Sequence, residues 1–240
     1  MFNPEKNQPN FDAERENKKS EPNLKMLEKN GEKDWTYEKW QKMLKFVVEK
    51  FWGDKFKVSG KENIPEKDSA IIAVNHSSHV DPEFLMAGID RPMHFVGLQD
   101  KEFNPLYVKI FYKLMGVIPV SRNLVHEGGK DFIKQVKQAI ENKELICIFP
   151  EGMLEEKKDR TEINEFKSGV AKIAKKYGLD VIPVYMSGTD KVIPNSTTKM
   201  IQKINIEPVE IKIGDKISAK EIQDEEQIRQ EIINLIPEKK

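Results

Sequence analysis

The chain has a single cysteine, no apolar run long enough to cross a bilayer, and no excess of either charge sign, and each shortage removes a class of protein. With one thiol in 240 residues there is no disulfide framework. Cys147 lies in the apolar run Leu145-Ile146-Cys147-Ile148-Phe149, where a thiol behaves as a small hydrophobe. A reducing, cytoplasmic setting is the expectation. Basic and acidic side chains, 40 of each, cancel to a formal net charge of zero. The broad basic footprint of a nucleic-acid binder is missing, so no nucleic-acid partner is expected and any anion site must be local. Apolar stretches fall short of the roughly 18 to 20 residues that a membrane-crossing helix requires. A chain of this kind that meets lipid is expected to meet it from one side. The start, Met1-Phe2-Asn3-Pro4-Glu5-Lys6, is polar, and no export signal is expected.

What is present suggests one core of ordinary size preceded by two appendages. Residues 1–34 carry Glu, Lys, Asn and Pro with scattered apolar residues, too few to offset the entropy of ordering, and are predicted to form a disordered polar tail. Residues 35–55 read as an amphipathic helix. Trp40, Met43, Leu44, Val47, Val48 and Phe51 recur at spacings of three and four, with Lys42, Lys45, Glu49 and Lys50 between them. Such a stripe either docks on the protein's own core or lies in the headgroup region of a membrane as a surface anchor.

Residues 56–240 alternate short apolar runs with longer periodic segments, which predicts an α/β domain: a mixed sheet covered by helices. Strands are expected at Ala70 to Val74, His94 to Leu98, Leu145 to Phe149, Val181 to Met186 and Val209 to Ile213. Helices are expected at Glu83 to Ala87, Asn104 to Met115, Lys130 to Asn142, Lys167 to Tyr177 and Ala219 to Leu235. Gly178 fits a helix stop. Pro183 inside an apolar run suggests an edge strand or a bulge, because proline cannot donate to the ladder.

The sharpest chemical feature follows the first of these strands, where the apolar run ends in Asn75-His76-Ser77-Ser78-His79-Val80-Asp81-Pro82. An imidazole can take a proton from a hydroxyl at neutral pH, and a carboxylate can orient its ring and stabilise the imidazolium. His76 and Asp81 form such a pair if the loop folds back. Asp81 is also placed to cap the helix that Pro82 opens, and two carboxylate oxygens permit both roles. His79 and His94 are read as structural, and with no Cys or clustered carboxylates to complete a ligand set no metal is expected. Three further blocks stand at strand ends. Gly116-Val117-Ile118-Pro119-Val120-Ser121-Arg122 offers a guanidinium for a phosphate, Phe149-Pro150-Glu151-Gly152 offers close backbone approach, and Val181-Ile182-Pro183-Val184 carries the proline. A Gly-x-Ser-x-Gly nucleophile elbow is missing, which argues against a serine esterase.

In this order the blocks resemble the glycerolipid acyltransferases typified by the lysophosphatidic acid (1-acylglycerol-3-phosphate) acyltransferases. The resemblance runs from Val58 to Gly188 and takes in Gly60-Lys61-Glu62-Asn63-Ile64-Pro65 and Phe166-Lys167-Ser168-Gly169. It implies a glycerol-phosphate acyltransferase-like domain that moves a fatty acyl group from acyl-coenzyme A or acyl carrier protein to a lysophospholipid hydroxyl. No bound cofactor and no acyl-enzyme are then expected, and the protein would sit peripherally on the cytoplasmic face of a membrane. By the same likeness His76 is the general base and Asp81 its orienting partner, Arg122, Glu151 and Gly152 bind the glycerol phosphate, and Asn75 shapes the loop at the substrate site. A backbone N–H near Gly152 is a candidate oxyanion donor. Family members usually continue Phe-Pro-Glu-Gly with Ser or Thr and then Arg, whereas this chain has Met153-Leu154. Lys167 or Arg160 is the expected substitute for that arginine. A silent lipid-binding protein of the same fold and a His76-dependent thioesterase are the alternatives.

Overall fold

The computed structural model describes residues 35–98, 110, 112–120, 129–152, 154, 162–193 and 204–237. The expected polar tail lies outside them, as does most of the helix expected from Asn104 to Met115.

Seven strands form one sheet: β1 (Phe56–Ser59), β2 (Ile71–Val74), β3 (Met93–Leu98), β4 (Ile118–Val120), β5 (Leu145–Ile148), β6 (Val181–Ser187) and β7 (Val209–Ile213), in the order β1-β7-β6-β2-β5-β3-β4. From β6 to β4 every neighbouring pair is parallel. β7 turns antiparallel to β6, and β1 follows β7 in parallel, so the sheet is mixed. The helices are α1 (Trp35–Trp52), α2 (Asp81–Gly88), α3 (Gly129–Glu141), α4 (Gly169–Tyr177), the short α5 (Thr189–Val192) and α6 (Glu225–Asn234).

β2 lies in the middle of the sheet with all four residues buried, and a strand covered on both faces needs an uninterrupted apolar run. Its pleat feeds two cores. Ile72 and Val74 pack with Leu44, Val48 and Trp52 of α1 and Phe84 and Leu85 of α2. Ile71 and Ala73 pack with Val136 of α3, Val170 of α4 and Ile228 of α6. β2 and β5 are in register at Ala73 and Ile148, so both chains leave the sheet at the same rim. The Asn75 to Asp81 segment and the Phe149 to Gly152 turn therefore meet there.

α1 runs from Trp35 to Trp52, a 3-10 turn follows over Gly53–Lys55, and the apolar stripe of α1 divides. Tyr37, Leu44, Val48 and Trp52 are buried, Trp52 sits edge-on to Phe84 at 5.1 Å, and its indole N–H donates to the Glu207 carbonyl at 3.0 Å. The Gln41 amide donates to the carbonyls of Met86, Ile89 and Arg91. Met43, Phe46 and Phe51 face outward, 43%, 61% and 57% exposed.

Three expectations are corrected. β1 and β4 were not anticipated, because runs of four and three residues give little period to read. Pro183 lies in an interior strand opposite a bulge, the second of the two expected alternatives: Val181–Val184 is opposed by Ile213–Ile217, one residue longer. Val181 exchanges both backbone bonds with Ile217, and the Pro183 carbonyl accepts from Gly214 N. The missing N–H thus faces the break between Ile213, where β7 ends, and Ile217. The last helix begins at Glu225 instead of Ala219, because Asp224 caps it by accepting from Gln227 N at 2.9 Å while the Gln227 side chain accepts from Gln223 N. Asp81 does not cap α2: its carboxylate turns back into the preceding loop. Gly178 closes α4 in the left-handed conformation, φ 66°, as expected.

Candidate active site

The loop after β2 folds back on itself because one carboxylate oxygen gathers three donors. Asp81 Oδ2 accepts from the backbone N–H of Ser77 at 2.8 Å and of Ser78 at 2.9 Å, and lies 2.8 Å from His76 Nδ1. Asp81 is 0% exposed and the His76 side chain 17%. A buried carboxylate at Nδ1 fixes the tautomer with its hydrogen on Nδ1 and leaves Nε2 as the basic nitrogen. Asp81 Oδ1 has no partner among the described residues. The anion is felt nearby: burial, and secondarily Asp81, push the Cys147 thiol well above its usual value. Burial first, then its own backbone and the Asp81 charge, set the Glu83 carboxyl at about 7.

Asn75 is a bolt between strands. Its amide donates to the Met186 carbonyl at 2.9 Å and accepts from Met186 N at 2.8 Å, carrying the β2–β6 contact one residue past the strand. Each heteroatom of the Asn75 amide is thus engaged on backbone, an arrangement that shapes the loop. The buried Glu151 accepts from His76 N at 2.8 Å through one oxygen and from Asn164 N at 3.0 Å through the other, tying the His76 backbone to the chain ahead of α4. Gly152 takes φ 78°, the left-handed conformation that favours glycine, and the movable end of the Lys167 side chain lies where a Cβ would be, 2.6 Å away at Nζ. The Gly152 N–H donates to the Phe149 carbonyl at 3.0 Å. Lys167 lies across Gly152 with its side chain exposed, held at its backbone by a bond from Lys167 N to the Pro150 carbonyl.

The structure thus brings together Asn75, His76, Asp81, Glu151, Gly152 and Lys167. Arg122, Met153 and Arg160 lie outside the described residues. His94 is a structural residue, bonded to the Gly116 carbonyl at 3.0 Å and to Glu144 at 2.7 Å. Two contacts were not anticipated. The Phe149 ring stacks on His76 with centroids 4.1 Å apart, and the buried Thr189 hydroxyl meets Ser77 Oγ at 3.0 Å. Phe149 stood inside a block already singled out. Thr189 begins α5 directly after β6, at the rim that carries His76, a position the strand assignment alone pointed to.

Residues 55–187 match the family model described as Acyltransferase. The chain is 33% identical over 138 residues to a 1-acyl-sn-glycerol-3-phosphate acyltransferase of Borreliella burgdorferi, covering 58% of this chain and 53% of that one. It is 26% identical over 153 residues to a chloroplastic 1-acyl-sn-glycerol-3-phosphate acyltransferase of Arabidopsis thaliana, covering 63% and 41%. The chain spans about half the length of these curated relatives. Among solved structures, the 1-acyl-sn-glycerophosphate acyltransferase of Thermotoga maritima superposes with a TM-score of 0.63 at 21% identity, covering 83% of this chain and 76% of that one. That likeness supports the fold.

Proposed function

The chain belongs to the acyltransferase family, and from that membership we propose that it transfers a fatty acyl group from an acyl thioester to the free hydroxyl of a lysophospholipid, with 1-acylglycerol 3-phosphate as acceptor and phosphatidic acid as product. The observation that carries this reading is the pairing of His76 Nδ1 with a fully buried Asp81, which leaves Nε2 as the base at the open rim of the sheet. The acceptor is taken from the names that the relatives carry.

Nε2 removes the acceptor's hydroxyl proton as that oxygen attacks the thioester carbonyl carbon. The tetrahedral intermediate then collapses, the C–S bond breaks, and the departing sulfur takes the proton from the imidazolium. Asp81 stabilises the imidazolium between the two steps. No acyl-enzyme is formed and no bound cofactor takes part. The donor is acyl-coenzyme A or acyl carrier protein. Lys167 lies against Gly152, next to the Glu151 that holds the His76 backbone, and the Lys167 ammonium serves the acceptor's phosphate, with Arg122 assigned to the same phosphate by family likeness.

The exposed side chains of Met43, Phe46 and Phe51 on α1, with Lys42 and Lys50 interleaved, support peripheral seating on the cytoplasmic face of a membrane, where the lyso-lipid resides. The test is incubation of the protein with a labelled acyl thioester and 1-acylglycerol 3-phosphate, followed by separation of the lipids. Label in phosphatidic acid supports the proposal. Label only in free fatty acid makes the protein a thioesterase, and liposome binding without turnover makes it a lipid-binding protein.

A further inference from the structure

We infer that Phe149 is a positioning residue for this reaction, acting through His76: its ring is a flat platform that holds the imidazole in the plane from which Nε2 reaches the acceptor hydroxyl, and its face stabilises the imidazolium. The inference rests on the acyl-transfer reading. The ring centroids of His76 and Phe149 are 4.1 Å apart with planes 27° from parallel, and Phe149 is backed by the buried Phe95 at 6.3 Å and 13°. Phe149 is thus near-parallel to an aromatic neighbour in each pair.

Asp81 cannot supply this constraint alone. The last torsion of a histidine side chain is broad and roughly two-fold, so a bond at Nδ1 selects one of two flips but leaves the ring free to rock about it. A stacked ring removes the rocking on one side. The Phe149 to Gly152 turn then grips His76 twice, Phe149 on the ring and Glu151 on the backbone N–H. When the hydroxyl proton moves to Nε2 and the acceptor oxygen bonds to the carbonyl carbon, the ring carries a positive charge over an aromatic face, an attractive arrangement in a partly desolvated site.

The experiment compares wild type with Phe149→Leu, which keeps bulk without a flat face, and Phe149→Tyr, which keeps the face. Phe149→Leu is expected to lower kcat roughly 2- to 30-fold with KM for both substrates little changed, and Phe149→Tyr to restore it. Should Phe149→Leu fail to fold, Phe149→Met fills the space with a flexible chain and carries the same expectation. A spectroscopic readout independent of turnover accompanies it. The His76 Cε1–H resonance, identified among the four histidines by its loss in His76→Gln, should lie upfield in wild type and in Phe149→Tyr and move downfield in the Leu and Met variants. An unmoved resonance, or a Tyr variant as impaired as Leu, would overturn the inference. If wild type makes no phosphatidic acid, the acyl-transfer reading fails, while the resonance still decides whether the platform exists.

Discussion

Asp81→Asn separates the orienting role of Asp81 from any role in holding the loop. In wild type one oxygen of a fully buried carboxylate accepts three N–H groups, each a charge-assisted bond. Asparagine can present its carbonyl at that place and keep all three. Neutral bonds are worth about half as much as charged ones, so the exchange gives up on the order of 1 kcal/mol per bond. Against this, taking a carboxylate out of water costs several kcal/mol, a cost asparagine does not carry. The two nearly offset, and the folded state is expected to change by less than about 2 kcal/mol. Catalysis is not offset, because the neutral amide cannot stabilise the imidazolium and can reverse the tautomer if it turns its NH2 inward. A loss of roughly 10² to 10⁴ in kcat is expected. Asp81→Ala is a poorer probe, since it strands three buried donors at about 1 to 3 kcal/mol each and confounds folding with chemistry. Urea unfolding and initial rates of acyl transfer on the same preparation settle the matter. An Asn variant within threefold of wild-type kcat would refute the reasoning.

Glu151→Gln keeps an acceptor for only one of the two backbone N–H groups, on His76 and Asn164, and turns an NH2 toward the other; it is expected to cost about 1 to 3 kcal/mol in urea unfolding. Equal midpoints would contradict the contact. Burial raises the Glu83 carboxyl from 4.5 to about 7, so the folded protein retains a proton that the unfolded chain releases. Stability from this group is complete below the unfolded value and is lost as pH rises toward 7. Glu83→Gln should therefore flatten the fall in stability between those values, on the order of 2 to 3 kcal/mol, and parallel Tm–pH curves for the two proteins would count against it. Phe46→Asp with Phe51→Asp should lower sedimentation with anionic liposomes at least roughly tenfold, since each exposed ring offers about 1.5 to 3 kcal/mol on burial. Stability should stay within about 0.5 kcal/mol. Undiminished binding would remove α1 as the lipid contact; deleting α1 is a poorer test, because Leu44, Val48 and Trp52 leave the core with it.

The parts of this molecule legible in its sequence are those with a period or a fixed local signature. β2 and β5 announce themselves as apolar runs because both faces are covered, and α1 by its three-and-four spacing. His76 and Asp81 lie close enough along the chain for a single loop to close them. The remainder depends on contacts between distant residues. Asn75 meets Met186 111 positions away, and whether an amide faces a ligand or a neighbouring strand leaves no mark on local pattern. Glu151 reads as a ligand-binding carboxylate in its motif, and its bond to the backbone N–H of His76, 75 positions away, leaves no mark on local pattern. β1 and β4 are strands only because longer neighbours complete their ladders. The helical stripe of α1 could not say which of its apolar residues face the core, since Met43 and Leu44 are equally apolar and only the packing distinguishes them.

The central claim is that His76 Nε2 removes the acceptor's proton. It is tested most directly by the initial rate of labelled acyl transfer from a thioester to 1-acylglycerol 3-phosphate, wild type against His76→Ala, at matched folded concentration. The account predicts a loss of roughly 10² to 10⁴ in kcat. A His76→Ala protein that makes phosphatidic acid at the wild-type rate would contradict it.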